Sequence, residues 1–144
     1  GDVYKRQLKD SSGDWDNTRA LLEQCQSEDF DVFPGSETFL LKALRAGGAG
    51  CISATANVNP AAIARLASTW ESPDADDQQA ALNAVRDTFQ TYVMIPALKA
   101  AISHYGGNSA WAIVRPPLVE LESDERTALT RALEAVSFSM PGLR

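Results

Sequence analysis

The stretch Leu8-Lys9-Asp10-Ser11-Ser12-Gly13-Asp14 decides the fold, because it leads from a short strand end into the first helix. Asp14 or Asp16 predicts the cap of a helix that runs to about Gln24, since a short carboxylate side chain accepts hydrogen bonds from free N–H groups there. The next apolar run, Phe30-Asp31-Val32-Phe33, predicts a strand that a proline and a glycine close. A strand, a helix and a second strand in this order are typical of the α/β class.

The same unit repeats along the chain. Ser36 predicts a second N-cap, followed by a helix that ends at Gly47-Gly48. Gly50 to Ala56 predicts the next strand, and Asn59 before Pro60 predicts the start of a third helix. The apolar side chains of these two helices are Phe39, Leu40, Leu41, Leu44, Ile63 and Leu66. Short repeats of this kind favour a parallel sheet with helices packed outside it.

The second half of the chain differs, because only helices are predicted from Ser72 onward. Helical periodicity predicts three helices, with a break or kink at Pro96 and the last helix starting at Ser123. Their apolar faces are Leu82, Val85, Phe89 and Tyr92, then Ile95, Leu98 and Ile102, then Leu129, Leu133 and Val136. We therefore expect an α/β part over residues 8–71 and an appended helical region over residues 72–144.

Residues 1–7 do not fit this pattern. Lys5, Arg6 and Gln7 interrupt the apolar run that a buried parallel strand needs before Leu8. Residues 2–7 are encoded by GAT GTG TAT AAG AGA CAG, which resembles the end sequence of a transposase used to prepare sequencing libraries. We therefore expect residues 1–7 to be an adapter artefact and exclude them from the fold.

Charge and composition exclude several classes of protein. The chain carries a formal net charge of -6, whereas nucleic-acid-binding domains usually present a basic face. No apolar run approaches the roughly 20 residues that span a bilayer, so we expect no membrane partner and a cytoplasmic location. Cys25 and Cys51 form no CxxC pair, which predicts reduced, mostly buried thiols and neither a disulfide framework nor a zinc site.

Three other features receive ordinary structural interpretations. The acidic run Asp74 to Asp77 is typical of a solvated first helical turn, because a metal site needs oxygens that converge. Gly47-Gly48-Ala49-Gly50 precedes a strand, whereas a phosphate-binding loop links a strand to a helix. His104, just before Gly106, is typical of an imidazole at a helix C-terminus rather than of a catalytic base.

Three motifs occur in the order that one known family shows. They are Lys9-Asp10-Ser11-Ser12-Gly13-Asp14, Val32-Phe33-Pro34-Gly35-Ser36-Glu37 and Gly47-Gly48-Ala49-Gly50-Cys51-Ile52-Ser53-Ala54-Thr55-Ala56-Asn57-Val58, and the likeness continues through Ile95-Pro96-Ala97-Leu98-Lys99 and Arg115-Pro116-Pro117-Leu118. From Leu8 to its last helix, the chain resembles the dihydrodipicolinate synthase and N-acetylneuraminate lyase family. The resemblance implies the C-terminal part of a (β/α)8 TIM barrel, comprising the end of strand six and strands seven and eight, followed by a C-terminal helical extension.

The resemblance also implies a chemistry for Lys9. In the family, the lysine amine condenses with the carbonyl of pyruvate or a related 2-oxo acid, and no metal or organic cofactor is required. Desolvation or a nearby positive charge makes such an amine nucleophilic, and a barrel mouth provides that environment. Gly35 and Ile52 match positions where the backbone borders the substrate, with a turn glycine and a core isoleucine as the alternative interpretations.

The substrate stays open between two reactions of the same family. The first is condensation of pyruvate with an aldehyde, as in 4-hydroxy-tetrahydrodipicolinate synthase. Asp10-Ser11-Ser12 is also frequent in branches that act on 4-hydroxy-2-oxoglutarate or 2-keto-3-deoxy sugar acids, so a 2-oxo acid aldolase or dehydratase is the alternative. An alternative of another class is a non-catalytic barrel that binds a 2-oxo acid or has only a structural role.

Other groups that the family uses match no residue of this chain. These groups are its proton-relay tyrosine, its hydroxyl-rich carboxylate-binding loop and a tyrosine lent across a dimer interface; Tyr92 and Tyr105 do not match them. We therefore expect a truncated lyase that is inactive alone and aggregation-prone, because an open barrel exposes strand edges. The resemblance implies a homodimer or homotetramer for the parent protein. A soluble, monomeric preparation of these 144 residues that melts cooperatively would contradict the expectation.

Overall fold

Strands and helices alternate only in the first half of the chain. The computed structural model describes residues 6–27 and 29–143, so residues 1–5 of the expected adapter segment lie outside the described residues. The elements are β1 Gln7–Asp10, α1 Trp15–Cys25, β2 Asp31–Pro34, α2 Leu40–Arg45, α3 Pro60–Ser68, α4 Ala75–Gln90, α5 Met94–Gly106 and α6 Ser123–Ala135, with short 3-10 helices at Glu37–Phe39, Thr55–Asn57 and Ser109–Ala112. Within the part of the chain that is described, no helix is both long and apolar enough to cross a membrane.

Strands β1 and β2 form a parallel two-stranded sheet. Leu8 lies opposite Val32 in the ladder, and Lys9 lies opposite Phe33. The ladder starts at Gln7, so it includes one residue that the sequence analysis excludes from the fold. The predicted α/β arrangement of two parallel strands is therefore present.

Helices α1 and α2 cover one face of this sheet. Leu22 of α1 and Ala43 of α2 form a buried apolar cluster with Val32 of β2. Asp14 caps α1, because its carboxylate accepts a hydrogen bond from Asp16 N–H at 2.9 Å. Of the two capping residues that the sequence allows, the structure selects Asp14.

The strand predicted over Gly50 to Ala56 is not formed, and this prediction is wrong. One backbone bond joins the segment to the sheet, from Ile52 N–H to Pro34 O at 3.0 Å. The chain then turns into the 3-10 helix Thr55–Asn57. Ser53 and Thr55, on either side of this turn, both donate to the buried carboxylate of Glu37.

Helices α4, α5 and α6 enclose the largest apolar cluster of the described chain. The ring of Phe89 is fully buried and packs edge-on against Phe138, with 6.0 Å between the ring centroids. The buried members are Val58, Val85, Phe89, Ala97, Leu98, Ala100, Ala101, Leu121, Leu129, Leu133 and Phe138. The predicted apolar faces of α4 and α6 are confirmed, whereas Ile95 of α5 is 53% exposed.

Helix α4 belongs to two clusters at once. Its Leu82 packs with Leu40, Leu41 and Leu66 in a second cluster beside the sheet. Its Phe89, two turns later, lies in the cluster of the C-terminal helices. The helix therefore connects the α/β part of the chain with the helical part.

Helix α5 begins before the predicted break, whereas helix α6 begins where predicted. Helix α5 begins at Met94, so Pro96 lies in its first turn, where a missing N–H is tolerated, and the break precedes it. Helix α6 begins at Ser123, as predicted, and Glu122 is its N-cap, whose N–H donates to the Glu125 carboxylate at 2.8 Å. Asn59 precedes α3 as predicted, but its side chain makes no capping bond.

Candidate functional site

The carboxyl ends of β1 and β2 meet at one edge of the sheet, where the extended segment joins them. Gly35 N–H donates to Asp10 O at 2.5 Å, and Ile52 N–H donates to Pro34 O at 3.0 Å. Gly35 and Ile52 therefore lie at the edge where the strand that carries Lys9 ends. Active sites of α/β proteins lie at the carboxyl ends of parallel strands, so this edge is the candidate site.

Lys9 lies on the sheet face opposite the helices. Side chains alternate along a strand, and the neighbours Leu8 and Asp10 contact the helix side. Lys9 and its ladder partner Phe33 therefore occupy the other face, and Lys9 is exposed there. A small molecule at the sheet edge would meet the amine from this side.

The buried carboxylate of Asp10 fixes the turn that follows Lys9. Thr18 Oγ1 donates to Asp10 Oδ2 at 2.6 Å, and the Ser12 N–H and Oγ–H both donate to the carboxylate at 2.9 Å. Burial raises the pKa of Asp10, but these hydrogen bonds lower it more, so the pKa lies below its ordinary value. The charged carboxylate thus holds β1 against α1 and sets where the strand ends.

Gly35 is required by a close approach of two backbones. A Cβ at this position would lie 2.7 Å from Asp10 O and 3.1 Å from Ser11 Oγ. Any side chain would push the ends of β1 and β2 apart. Gly35 therefore keeps the edge narrow, and Ile52, 40% exposed, is its neighbour on the extended segment.

Comparison with known proteins identifies the family. The family model described as the dihydrodipicolinate synthetase family matches residues 6–136. The chain belongs to this family. It is 35% identical over 130 residues to an uncharacterized DapA-like lyase of Chloroflexus aurantiacus, covering 90% of this chain and 42% of that protein. It is 32% identical over 139 residues to the 4-hydroxy-tetrahydrodipicolinate synthase of Methanopyrus kandleri, covering 94% of this chain and 45% of that protein.

The solved structures of the family agree with this assignment. The crystal structure of dihydrodipicolinate synthase from Agrobacterium tumefaciens superposes with a TM-score of 0.73 and 30% identity, covering 89% of this chain and 42% of that one. The chain thus spans less than half the length of the relatives that it matches. The likeness is consistent with part of a barrel.

A buried charged cluster beside this sheet edge is not predicted from the sequence. Glu37 is 1% exposed and accepts hydrogen bonds from Ser53 Oγ and Thr55 Oγ1. Arg86 Nη1 of α4 lies 3.2 Å from Glu37 Oε2 and donates to Ser53 Oγ at 3.1 Å. The sequence shows Glu37 as an acidic residue in a first helical turn, and the arginine 49 positions later carries no local signal.

The histidine, the acidic run and the cysteines, for which the sequence predicts structural roles, have the following surroundings. His104 is exposed in the last turn of α5, as predicted. The acidic run was expected to contact only solvent, but Arg45 donates two hydrogen bonds to the Asp76 carboxylate, at 3.0 and 2.7 Å. Cys51 is a free thiol whose pKa is raised to about 11, mainly by burial and less by the Glu37 carboxylate. No group of three metal-ligating side chains was found among the described residues.

Proposed function

We propose that this chain is the lysine-bearing part of a lyase that condenses pyruvate with an aldehyde through a Schiff base on Lys9. The observation that carries the proposal is the sheet edge at which the strand of Lys9 meets Gly35 and Ile52. All three positions lie within the matched region of the dihydrodipicolinate synthetase family. A relative that is 32% identical has the name 4-hydroxy-tetrahydrodipicolinate synthase.

The proposed reaction begins at the Lys9 amine. The neutral amine adds to the carbonyl carbon of pyruvate, and loss of water gives an iminium. The iminium withdraws electrons, so a base removes a proton from the adjacent methyl carbon and an enamine forms. The enamine carbon attacks the aldehyde carbonyl, and hydrolysis of the new iminium releases the product and the lysine. The same steps in reverse cleave a carbon–carbon bond.

The proposal gives each segment of the chain a place in a (β/α)8 barrel. β1 corresponds to the end of strand six, β2 to strand seven and the extended residues 50–53 to strand eight. Residues 8–71 are then a partial barrel, and residues 72–144 are a C-terminal helical region. Gly35 and Ile52 border the substrate with their backbones, because barrel active sites are built at the carboxyl ends of the strands.

A second substrate class is favoured by one feature of the edge. Ser11 is exposed, and its hydroxyl lies beside Gly35, 3.1 Å from the point where a Cβ would stand. At this place the Ser11 hydroxyl can form a hydrogen bond with a hydroxyl of 4-hydroxy-2-oxoglutarate or of a 2-keto-3-deoxy sugar acid. The second candidate is therefore a 2-oxo acid aldolase or dehydratase that uses the same lysine.

For the whole protein, we propose a homodimer or homotetramer.

Turnover by lysine variants tests the proposal. The test polypeptide is the longest one that the source DNA encodes around residues 6–143. Pyruvate consumption is measured with a panel of aldehydes, and cleavage is measured with 4-hydroxy-2-oxoglutarate and 2-keto-3-deoxygluconate. Lys9→Arg should reduce turnover by at least about a thousandfold, because the nucleophile is lost. Lys42→Arg is the control and should have no effect, since Lys42 lies on α2, which covers the sheet face opposite to Lys9, and its amine lies over the Trp15 ring at 5.6 Å.

Two results would contradict the proposal. If Lys9→Arg turned over as fast as Lys42→Arg, another group would be the nucleophile. If the test polypeptide bound pyruvate but turned over none of the substrates, the non-catalytic alternative, a barrel that binds a 2-oxo acid, would replace the enzyme.

A further inference from the structure

The buried carboxylate of Glu37 joins the two segments that border the candidate site. Glu37 comes two residues after Gly35 and begins the 3-10 helix that follows β2. Ser53, which donates to Glu37 Oε2, directly follows Ile52 on the extended segment. Both segments therefore have the same buried anchor, although only one backbone bond joins the extended segment to β2.

Helix α4 supplies the cation for this anchor. Arg86 Nη1 contacts both Glu37 Oε2, at 3.2 Å, and Ser53 Oγ, at 3.1 Å. The side chain of Glu37 is 2% exposed and that of Arg86 is 14% exposed, so solvent screens this pair weakly. About two turns earlier on the helix, Gln79 Nε2 donates to Glu37 O at 2.9 Å. Helix α4 thus holds Glu37 by its side chain and by its backbone.

We propose that Arg86 is a positioning residue, which acts through Glu37 to hold Gly35 and Ile52 in place for the substrate. The inference rests on the proposed function, since it assumes that these two residues border pyruvate. Removing one partner of a buried ion pair is strongly unfavourable, because it leaves the other as an uncompensated buried charge. Without Arg86, Glu37 would have to reach water, and Ser53 would move with it.

The expected effect is on pyruvate binding rather than on the reactivity of the lysine. Lys9 lies on β1. The hydrogen bond from Thr18 to Asp10 holds this strand in place, so the position of Lys9 does not depend on the Glu37 cluster. A shift of the Ile52 backbone would weaken binding of the 2-oxo acid. At saturating pyruvate the amine should still form its iminium.

Borohydride trapping at graded pyruvate concentrations tests this. The test polypeptide is incubated with pyruvate and sodium borohydride, and the mass of the reduced adduct gives the fraction modified. Arg86→Gln should raise the half-saturating pyruvate concentration about tenfold or more, since a displacement of about 1 Å costs up to about a hundredfold. The fraction trapped at saturation should stay unchanged.

Three further variants separate positioning from general destabilisation. Arg86→Lys should stay within about threefold of the unsubstituted protein, because the contacts run through one nitrogen and need a cation there. Arg45→Gln is the matched control, since it breaks an exposed pair with Asp76 of the same helix α4 and should change nothing. Glu37→Gln combined with Arg86→Gln should be no worse than Arg86→Gln alone, because the second substitution removes the buried charge that the first leaves unpaired.

The outcomes are distinguishable. If Arg86→Gln had the same half-saturating concentration as Arg45→Gln, the positioning role would be overturned while the proposed function stood. If the unsubstituted polypeptide formed no adduct on Lys9 at any pyruvate concentration, the proposed function and this inference would both fall. If Arg86→Gln failed to fold, Ser53→Ala would decide instead. It removes one hydroxyl and keeps the ion pair, and an unchanged half-saturating concentration would overturn the inference.

Discussion

The sheet region, residues 7–71, and the helical region, residues 72–143, are held together by different forces. The sheet region has two strands of four residues, one backbone bond to a third segment, and two buried carboxylates that hydrogen bonds hold in place. The helical region is held by apolar packing between α4, α5 and α6. The candidate site therefore depends on a few directional hydrogen bonds, while the helical region that supports it depends on non-directional apolar burial.

Helix α4 makes the two regions interdependent. It presents Leu82 and Arg86 to the sheet region and Val85 and Phe89 to the helical region. Changes in the helical region should therefore lower the stability of the whole fold. Changes in the sheet region should alter pyruvate binding before they unfold the protein.

The largest effect is expected from a cavity in the helical region. Phe89→Ala should lower the free energy of unfolding by about 3–5 kcal/mol, because the ring is fully buried against Phe138. Urea denaturation followed by circular dichroism measures the loss. Trp111→Ala is the control, since this aromatic side chain is 52% exposed, and it should change stability by no more than about 0.5 kcal/mol. Equal losses in both variants would show that the packing described here does not hold the region.

A methyl group at the sheet edge should lower stability less than Phe89→Ala does, but it should weaken pyruvate binding more. Gly35→Ala should destabilise by about 1–3 kcal/mol, because its Cβ would lie 2.7 Å from Asp10 O. It should also raise the half-saturating pyruvate concentration for borohydride trapping. Gly106→Ala is the counterpart in the helical region, where a Cβ meets only the end of Leu143 at 3.2 Å. That variant should be neutral or stabilised, and a larger loss there than at Gly35 would reverse the comparison.

A smaller, pH-dependent effect is expected at Asp10. Its pKa in the folded protein lies below the ordinary 3.8, so the folded state releases this proton more readily than the unfolded state. The carboxylate therefore stabilises the fold above pH 3.8, and this contribution is lost as the pH falls through the lowered pKa. Asp10→Asn should flatten the fall in melting temperature in that acid range. Asp87→Asn, at an exposed position, is the control. If the melting temperatures of both variants fell identically with pH, the Asp10 carboxylate would not be the stabilising group.

The smallest effect is expected at the exposed pair between Asp76 and Arg45. Hydrogen bonds from Arg45 lower the pKa of Asp76, but both side chains are exposed, and solvent and salt screen the pair. Asp76→Asn should leave the melting temperature nearly unchanged at physiological salt. Melting curves at low and high sodium chloride measure this. If Asp76→Asn lowered the melting temperature as much as Gly35→Ala does, surface charge rather than the buried cluster would hold α4 against the sheet region.

Much of the fold could be predicted because local signals agreed with it. Asp14 and Ser36 cap their helices as their side chains predict, and the apolar spacing of α4 and α6 matches their buried faces. The strand at Gly50 to Ala56 was predicted wrongly, since its apolar and β-branched residues resemble a strand. The segment instead makes one backbone bond to β2, and its hydroxyls bond a carboxylate that no local pattern reveals.

The candidate site was predicted only in part. Lys9, Gly35 and Ile52 followed from motifs, and the structure brings the segments that carry them to one edge. The roles of the three residues stay predictions. Arg86 could not be found from the sequence, because its contact with Glu37 spans 49 positions and depends on how α4 packs.

The most direct test of the account is to locate the borohydride-reduced adduct. The test polypeptide is treated with pyruvate and sodium borohydride, digested and mapped by mass spectrometry, with Lys9→Arg and Lys42→Arg treated alongside. The account predicts a reduced pyruvyl group on Lys9, its retention in Lys42→Arg and its absence from Lys9→Arg. A folded polypeptide that carried no adduct on Lys9, or carried it only on another lysine, would contradict the account.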